Sequence, residues 1–545
     1  MKVCIIGSGL GGLTCGVILA KNGFEVTVLE QGAQAGGCLQ CFSRGGARFE
    51  TGMHFIGSAA EGQSMDCIMD YLGLKADVSL SQLDPTGYEV VGLCGQQFRF
   101  ANGREAFIEQ MASYFPRQKD NLCRYFDAVE RVSSASALLN QHPGSPTPQS
   151  PTTSPTPESP NPSPSRGGEG SSYPFSSNSA SAVYTPLPPA GGAGGGARSS
   201  LLRSIDSVID ELITDPLLAK VLVGNLPLYA AERGKTPFAT HAFVTDFYNQ
   251  SAFRIVGGSD AIARSLVGTI ERYGGHVFTR QRAVKIVCDD SHATGVETAT
   301  GDYYAADFVI SGIHPMRTLE LTDSHLIRPA FRRRVNAMEQ TVGVFAVYLH
   351  FREGCVPYMN HNYYGYNTDT PWGCEHYDEQ SWPKGFLYMH FCEAPPGAEG
   401  GTSGASGASP LKFARTGVVL SYMQWDDVAA WAGTTVGHRG QDYEDFKRRK
   451  AQKLLESLEK HFPGITSNIA HYYTSTPLTY RDYTGTERGG MYGIAKDIGL
   501  GPAGRVPHRT KIPNLFQTGQ NINSHGMQGV LVGTMVTCNE LLQRP

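Results

Sequence analysis

The feature that most restricts this chain is at its start. Val3-Cys4-Ile5-Ile6 is an apolar, strand-like run that ends in Gly7-Ser8-Gly9-Leu10-Gly11-Gly12. Leu10 to Asn22 follows with helical spacing, Leu13, Val17 and Ala20 sharing a face and Gly23 in the stop position. Glu25 to Glu30 is a second short apolar strand. Strand, glycine turn, helix and strand predict a parallel βαβ unit. The three glycines of G-x-G-x-x-G have separate tasks there: Gly7 the tight turn, Gly9 the backbone's approach to a diphosphate, Gly12 close helix–strand packing. The helix amino terminus offers free N–H groups to phosphates, and Glu30, about 20 residues on, is placed to accept from ribose hydroxyls.

The same letters recur at Gly499-Leu500-Gly501-Pro502-Ala503-Gly504 and predict nothing. They follow no buried strand, Pro502 occupies the turn, and no carboxylate-ended strand comes after. NAD(P)H as an external reductant therefore has no recognisable second dinucleotide motif. After Glu30, the stretch Gln31-Gly32-Ala33-Gln34-Ala35-Gly36-Gly37 adds a second glycine pair, where main chain can pass close to a cofactor. That extension favours FAD over NAD.

The 545 residues are enough for more than one domain, and 40% hydrophobic with 18% charged residues is a globular composition. A net charge of −4 without a basic stripe argues against nucleic acid as a partner. The 12 cysteines are scattered, no secretory leader is read at the start, and no run approaches the roughly 20 apolar residues of a membrane span. The expected location is cytoplasmic, with a peripheral membrane contact left open. Residues 141–200 are rich in Pro, Ser, Thr and Gly and read as a disordered insertion, with a smaller flexible loop near 398–409. Further on, a helix is expected up to Arg272, strands over Val284–Cys288, Thr294–Thr300 and Phe308–Ser311, an amphipathic helix over Tyr443–Phe462, and a last helix following Gly529. Cys38-Leu39-Gln40-Cys41 has C-x-x-C spacing but lacks the matching ligands for zinc and the setting of a thioredoxin-like pair, so buried thiols are expected and no metal. Tyr363-Tyr364-Gly365-Tyr366 with Trp372 fits either a substrate tunnel or an ordinary core.

These motifs together resemble the family of retinol saturase, carotenoid isomerase and the phytoene desaturases. The resemblance is carried by Ile5 to Gly12, Val28-Leu29-Glu30-Gln31, Gly36-Gly37-Cys38, Phe49-Glu50-Thr51-Gly52-Met53-His54, Ile255 to Ser259, Pro513 to Gln520 and Gly526 to Gly529. Thr476 to Thr479 and Arg488 to Gly493 look like the retinol saturase branch. Glu50 stands where relatives usually have Asp.

The resemblance implies an α/β fold: a Rossmann-type, glutathione-reductase-like FAD-binding domain from residues 1–85, 255–325 and 505–545, with a mixed-sheet substrate domain from 86–140, 201–254 and 326–504. It implies that Gly7, Gly9, Leu10, Gly11, Gly12, Glu30, Gln31, Gly37 and Cys38 line the nucleotide side. Val284 would face the adenine, and Gly519, Gln520, Gly529 and Val530 would lie near the ribityl chain and isoalloxazine. A helix starting at Gly529 would aim N–H donors at the flavin edge that gains charge on reduction. His54, Arg488 and Tyr492 are the pocket candidates. The implied activity is redox chemistry on carbon–carbon double bonds of an apolar polyene or isoprenoid lipid. Its rivals are carotenoid cis–trans isomerisation with reduced FAD, flavin amine oxidation, and non-redox lipid binding in the manner of GDP-dissociation inhibitors.

Overall fold

The computed structural model describes residues 1–134, 203–392, 413–522 and 524–543. The two segments read as disordered insertion and flexible loop, 141–200 and 398–409, lie outside the described residues.

A five-stranded parallel sheet has the order His276–Phe278, Glu25–Leu29, Lys2–Ile6, Phe308–Ser311, Leu515–Gln517. Its central strand is apolar and buried from Val3 to Ile6 because both faces are covered there. Val3 and Ile5 pack under helices, whereas Cys4 and Ile6 pack under an antiparallel layer of Ala283–Cys288, Ala293–Thr298 and Tyr303–Ala305. The helix Leu10–Lys21 is buried on all sides from Gly11 to Ala20, held between Asp260–Arg272 and Gly526–Leu542. From the central strand the order runs to Glu25–Leu29 on one side and to Phe308–Ser311 on the other. The switch point, where open α/β sheets bind ligands, is therefore at Gly7.

The second sheet has seven strands in the order Ile469–Ser475, Gly343–Phe351, Thr416–Met423, Gly385–Phe391, Asn362–Tyr366, Glu89–Leu93, Gln96–Phe100. It is mixed: Asn362–Tyr366 pairs parallel with Glu89–Leu93 and the other neighbours are antiparallel. One face carries the helix Gln441–His461, whose Tyr443, Phe446, Leu454 and Leu458 meet Phe345, Val347 and Val419. The other face packs on Lys119–Ser134, Ile205–Leu212 and Phe238–Gln250.

Several boundaries differ from expectation, two of them for a visible reason. The strand ending at Thr298 stops short of Thr300 because Gly301 turns the chain, its N–H bonding the Thr298 carbonyl. The last helix begins at Gly526, with His525 extended in the capping position, a turn's length ahead of Gly529. Glycines 526 and 529 hid that start, since neither adds to an apolar face.

Candidate active site

The carboxyl ends of the parallel strands open into a cavity of about 740 Å³ that continues beneath the seven-stranded sheet. At its nucleotide end Gly7 takes φ +92°, a backbone region that side chains rarely enter. A Cβ on Gly12 would collide with the Gly7 carbonyl oxygen, so glycine alone lets the helix start this close to the strand. A Cβ on Gly9 would meet no protein atom, which leaves the turn's inner surface to a ligand. Glu30, 7% exposed, accepts from Ser8 N–H at 3.1 Å, Ser8 Oγ–H at 2.5 Å and Gly32 N–H at 2.7 Å. A carboxylate has about four acceptor positions, so capacity remains for a sugar hydroxyl.

The structure brings Gly7, Gly9, Leu10, Gly11, Glu30, Gln31, Gly37, Cys38, Gly519, Gln520 and Val530 to the walls of this one cavity. The chain's two ends meet there: a Cβ on Gly11 would stand 3.1 Å from Gly519 Cα. Gly12 and Gly529 lie behind the wall as packing positions, the latter with Ser524 2.6 Å from an added Cβ. Val284 does not line the cavity. Pairing skips from Ala283 to Lys285, so Val284 is the extra residue of a bulge with its side chain 39% exposed, and Arg282 and Ala283 line the wall instead.

His54 and Tyr492 line the cavity; Arg488 does not. Arg488 has φ +49° and is exposed, and Arg282, Arg317 and Arg481 are the arginines that line the wall. Tyr492 stacks against His525 at 4.9 Å between centroids, and burial pushes its hydroxyl up. His54 Nδ1 is 3.3 Å from Glu50 Oε2, and Glu50 Oε1 accepts from Ser259 N–H at 3.1 Å. Burial pushes the Glu50 carboxyl up, opposed by His54, Arg254 and the Ser259 N–H.

The substrate end is apolar and aromatic, with Leu228, Tyr248, Tyr366, Phe386, Leu420 and Tyr422 among its walls. The tyrosine cluster thus divides. Tyr366 lines the cavity and donates to Gly224 O at 2.7 Å, Tyr364 is core, and Tyr363 faces the helix Gln441–His461. Cys38 and Cys41 are free, and burial pushes both thiols up, Cys41 to about 11. The 499–504 glycines form turns away from the cavity, with Leu500 exposed. Among the described residues one cluster, Glu232, Glu375 and His376, brings metal-type ligand atoms within 4.8 Å of one another. Lys235 already pairs with Glu232 at 2.7 Å and His376 is 75% exposed, so no ion is assigned.

Sequence reading missed Gly312, Ile313, His314 and Arg317, which follow the strand Phe308–Ser311 and line the cavity. Their one signal was position, directly after a strand of the parallel sheet.

The glycine cradle, the carboxylate at the end of the second strand and the closing C-terminal segment define a Rossmann-type flavoprotein of the FAD-dependent oxidoreductase class. The NAD(P)-binding Rossmann-like domain family matches residues 5–72, and the flavin containing amine oxidoreductase family matches residues 203–398. The human all-trans-retinol 13,14-reductase is 27% identical over all of this chain and 86% of its own length. The neurosporene-forming phytoene desaturase of Cereibacter sphaeroides is 24% identical over 97% of this chain and 92% of its own. A solved oxidoreductase from Methanosarcina mazei shares the fold with a TM-score of 0.59, at 16% identity and full coverage of both chains. Over 95% or more of its length the chain is similar to all-trans-retinol 13,14-reductases, prolycopene isomerases and a phytoene desaturase.

Proposed function

We propose that this enzyme changes the redox state of a carbon–carbon double bond in an apolar polyene or isoprenoid lipid, as a retinol saturase does. The observation that carries the reading is continuity: one cavity joins the dinucleotide cradle to an aromatic, apolar chamber. When bound, FAD would supply hydride exchange at its ring system. The chain supplies the rest. With FAD bound, Gly7, Gly9 and Gly11 would present backbone to the diphosphate, Glu30 would hold the ribose, and the first N–H groups of Gly526–Leu542 would serve the ring. The chamber walls exclude water and hold a flat substrate in one plane, which turns an encounter into a positioned reaction.

An amine substrate would need an unpaired carboxylate or an open aromatic cage in this chamber. Besides Glu30, the acids on the wall are Glu320 and Asp482. Glu320 is bonded to Arg317 at 2.7 Å, and Asp482 to Arg439 and Arg481. That removes the carboxylate route to holding an amine. The complete cradle counts against a redox-silent lipid carrier. No helix among the described residues is long and apolar enough to cross a membrane. An extended polyene partitions into bilayers, so the working place we infer is the cytoplasmic surface of a membrane.

The test is anaerobic product analysis with flavin-loaded, reduced enzyme and candidate polyenes. A mass gain of two hydrogens supports saturation and an unchanged mass with altered double-bond geometry assigns isomerisation; in a separate aerobic assay with oxidised enzyme, peroxide formed from offered amines would overturn both.

A further inference from the structure

One wall of the cavity holds an arrangement that packing alone does not require. His54 is 8% exposed, lines the cavity, and sets Nδ1 3.3 Å from the carboxylate of Glu50, itself 7% exposed. That carboxylate is fixed from behind: its other oxygen takes the Ser259 N–H, at the amino terminus of the helix Asp260–Arg272, where the helix dipole favours an anion. The ring is fixed from the side. Arg254 donates to the His54 carbonyl at 3.2 Å and to Asn362 Oδ1 at 2.7 Å, and its guanidinium lies 5.0 Å from the Phe391 ring, which packs on His54. An ionised carboxylate accepts only, so Nδ1 carries the hydrogen, and Nε2 is the ring atom left for the cavity. No described residue bonds Nε2.

Most other proton-bearing groups on the wall are committed; the exception is the Tyr422 hydroxyl, which has no partner among the described residues and whose proton burial holds in place. Tyr366 donates to Gly224 O, and Tyr480 to Thr51 O at 3.0 Å. His314 has Met316 N–H on one nitrogen and Gln340 on the other. Burial pushes the phenols of Tyr248 and Tyr492 up, so both hold their protons.

We propose that His54 Nε2 exchanges the proton of the double-bond reaction and that Glu50 is the positioning residue that fixes its tautomer. The inference rests on the function proposed above. In the saturating direction a bound, reduced flavin would supply hydride, two electrons and a proton, to one carbon of the double bond. The other carbon takes H⁺ from Nε2, and the N–H bond pair returns to the imidazole. Desaturation runs the same transfers backwards, Nε2 removing the proton as hydride leaves to an oxidised flavin. Neutral imidazole serves one direction and imidazolium the other, with Glu50 keeping Nδ1–H in both.

The experiment uses flavin-loaded full-length protein as wild type, His54→Ala, His54→Gln and Glu50→Gln. Positioned proton transfer contributes about 10²- to 10⁴-fold, so His54→Ala should lose about that much turnover while flavin content and absorbance stay unchanged. Added imidazoles should restore His54→Ala in proportion to their basicity, which a packing defect would not reproduce. Glu50→Gln should lower kcat with KM unchanged, and ¹⁵N spectra of labelled histidine should show the proton no longer confined to Nδ1. Turnover of His54→Ala within threefold of wild type, or its loss without any response to imidazole, overturns the proposal. If His54→Ala sheds its flavin, His54→Gln and the ¹⁵N tautomer of wild type decide: full turnover of His54→Gln, or a proton on Nε2 alone, rejects it. Wild-type protein that binds flavin yet converts no polyene overturns the underlying function, and this role with it.

Discussion

Glu30 shows how one side chain can be readable from sequence while its neighbours are not. Its place at the end of the second strand followed from spacing, but its bonds to Ser8 and Gly32 did not, because they depend on how the turn closes. Glu30→Gln should raise the dissociation constant for FAD about 10- to 100-fold, the cost of losing one charge-assisted hydrogen bond. Fluorescence titration measures this, with circular dichroism showing an unchanged fold; a change under twofold would remove Glu30 from the ribose site. Val284 and Arg488 went the other way. Each sits in a legible motif, and a bulge in one case and a left-handed backbone in the other direct the side chain outward.

Glu89 gave no sequence signal at all. It opens the strand Glu89–Leu93, is fully buried, and accepts from Tyr364 Oη–H at 2.9 Å and Asn225 Nδ2–H at 3.1 Å. Burial pushes its carboxyl up from 4.5 to about 7. The folded protein therefore keeps a proton that the unfolded chain releases, so stability is full below the unfolded value and is lost as pH rises from about 4.5 towards 7. The loss should be on the order of 3 kcal/mol. Urea midpoints at pH 5 and pH 8 should differ accordingly in wild type, and Glu89→Gln should shrink the difference. Equal shifts in both proteins would contradict the assignment.

At the level of elements, periodicity found several helices and strands but misjudged the first helix. Leu13, Val17 and Ala20 read as one apolar face, whereas the structure buries every position from Gly11 to Ala20 between two other helices. A sequence window cannot see those covering helices, which come from residues more than 200 positions away. Leu13, at 0% exposure, lies in this core with Leu531 and Met535 of the last helix. Leu13→Ala should cost about 2–5 kcal/mol and lower the melting temperature, and because the same helix begins the glycine cradle, flavin should stabilise the variant less than the wild type. Thermal melts with and without FAD test both parts. An unchanged increment would uncouple the helix core from the cradle.

For the molecule as a whole, the parallel sheet was largely legible and the seven-stranded sheet was not. Parallel strands buried on both faces are continuous apolar runs next to glycine turns, and these survive in a linear reading. The seven-stranded sheet joins Glu89–Leu93 to Asn362–Tyr366 across more than 250 residues, and no local pattern encodes that pairing. For the same reason spacing could not divide Tyr363, Tyr364 and Tyr366 between core and cavity. Leu420, on the cavity wall and away from the cradle, offers a test of the shared chamber. Leu420→Trp should lower kcat/KM for polyenes at least about tenfold, since overfilling a packed space displaces its occupant, with bound flavin unchanged. Equal loss of flavin and turnover would mean that the two ends are not separable.

The parallel sheet is finished by Leu515–Gln517, and Gly519 from the same late segment meets Gly11 from the first helix. A ribosome therefore releases one jaw of the cofactor clamp about 500 residues before the other. Nascent chains halted before residue 515 should emerge unable to retain FAD, however well their amino-terminal half has condensed.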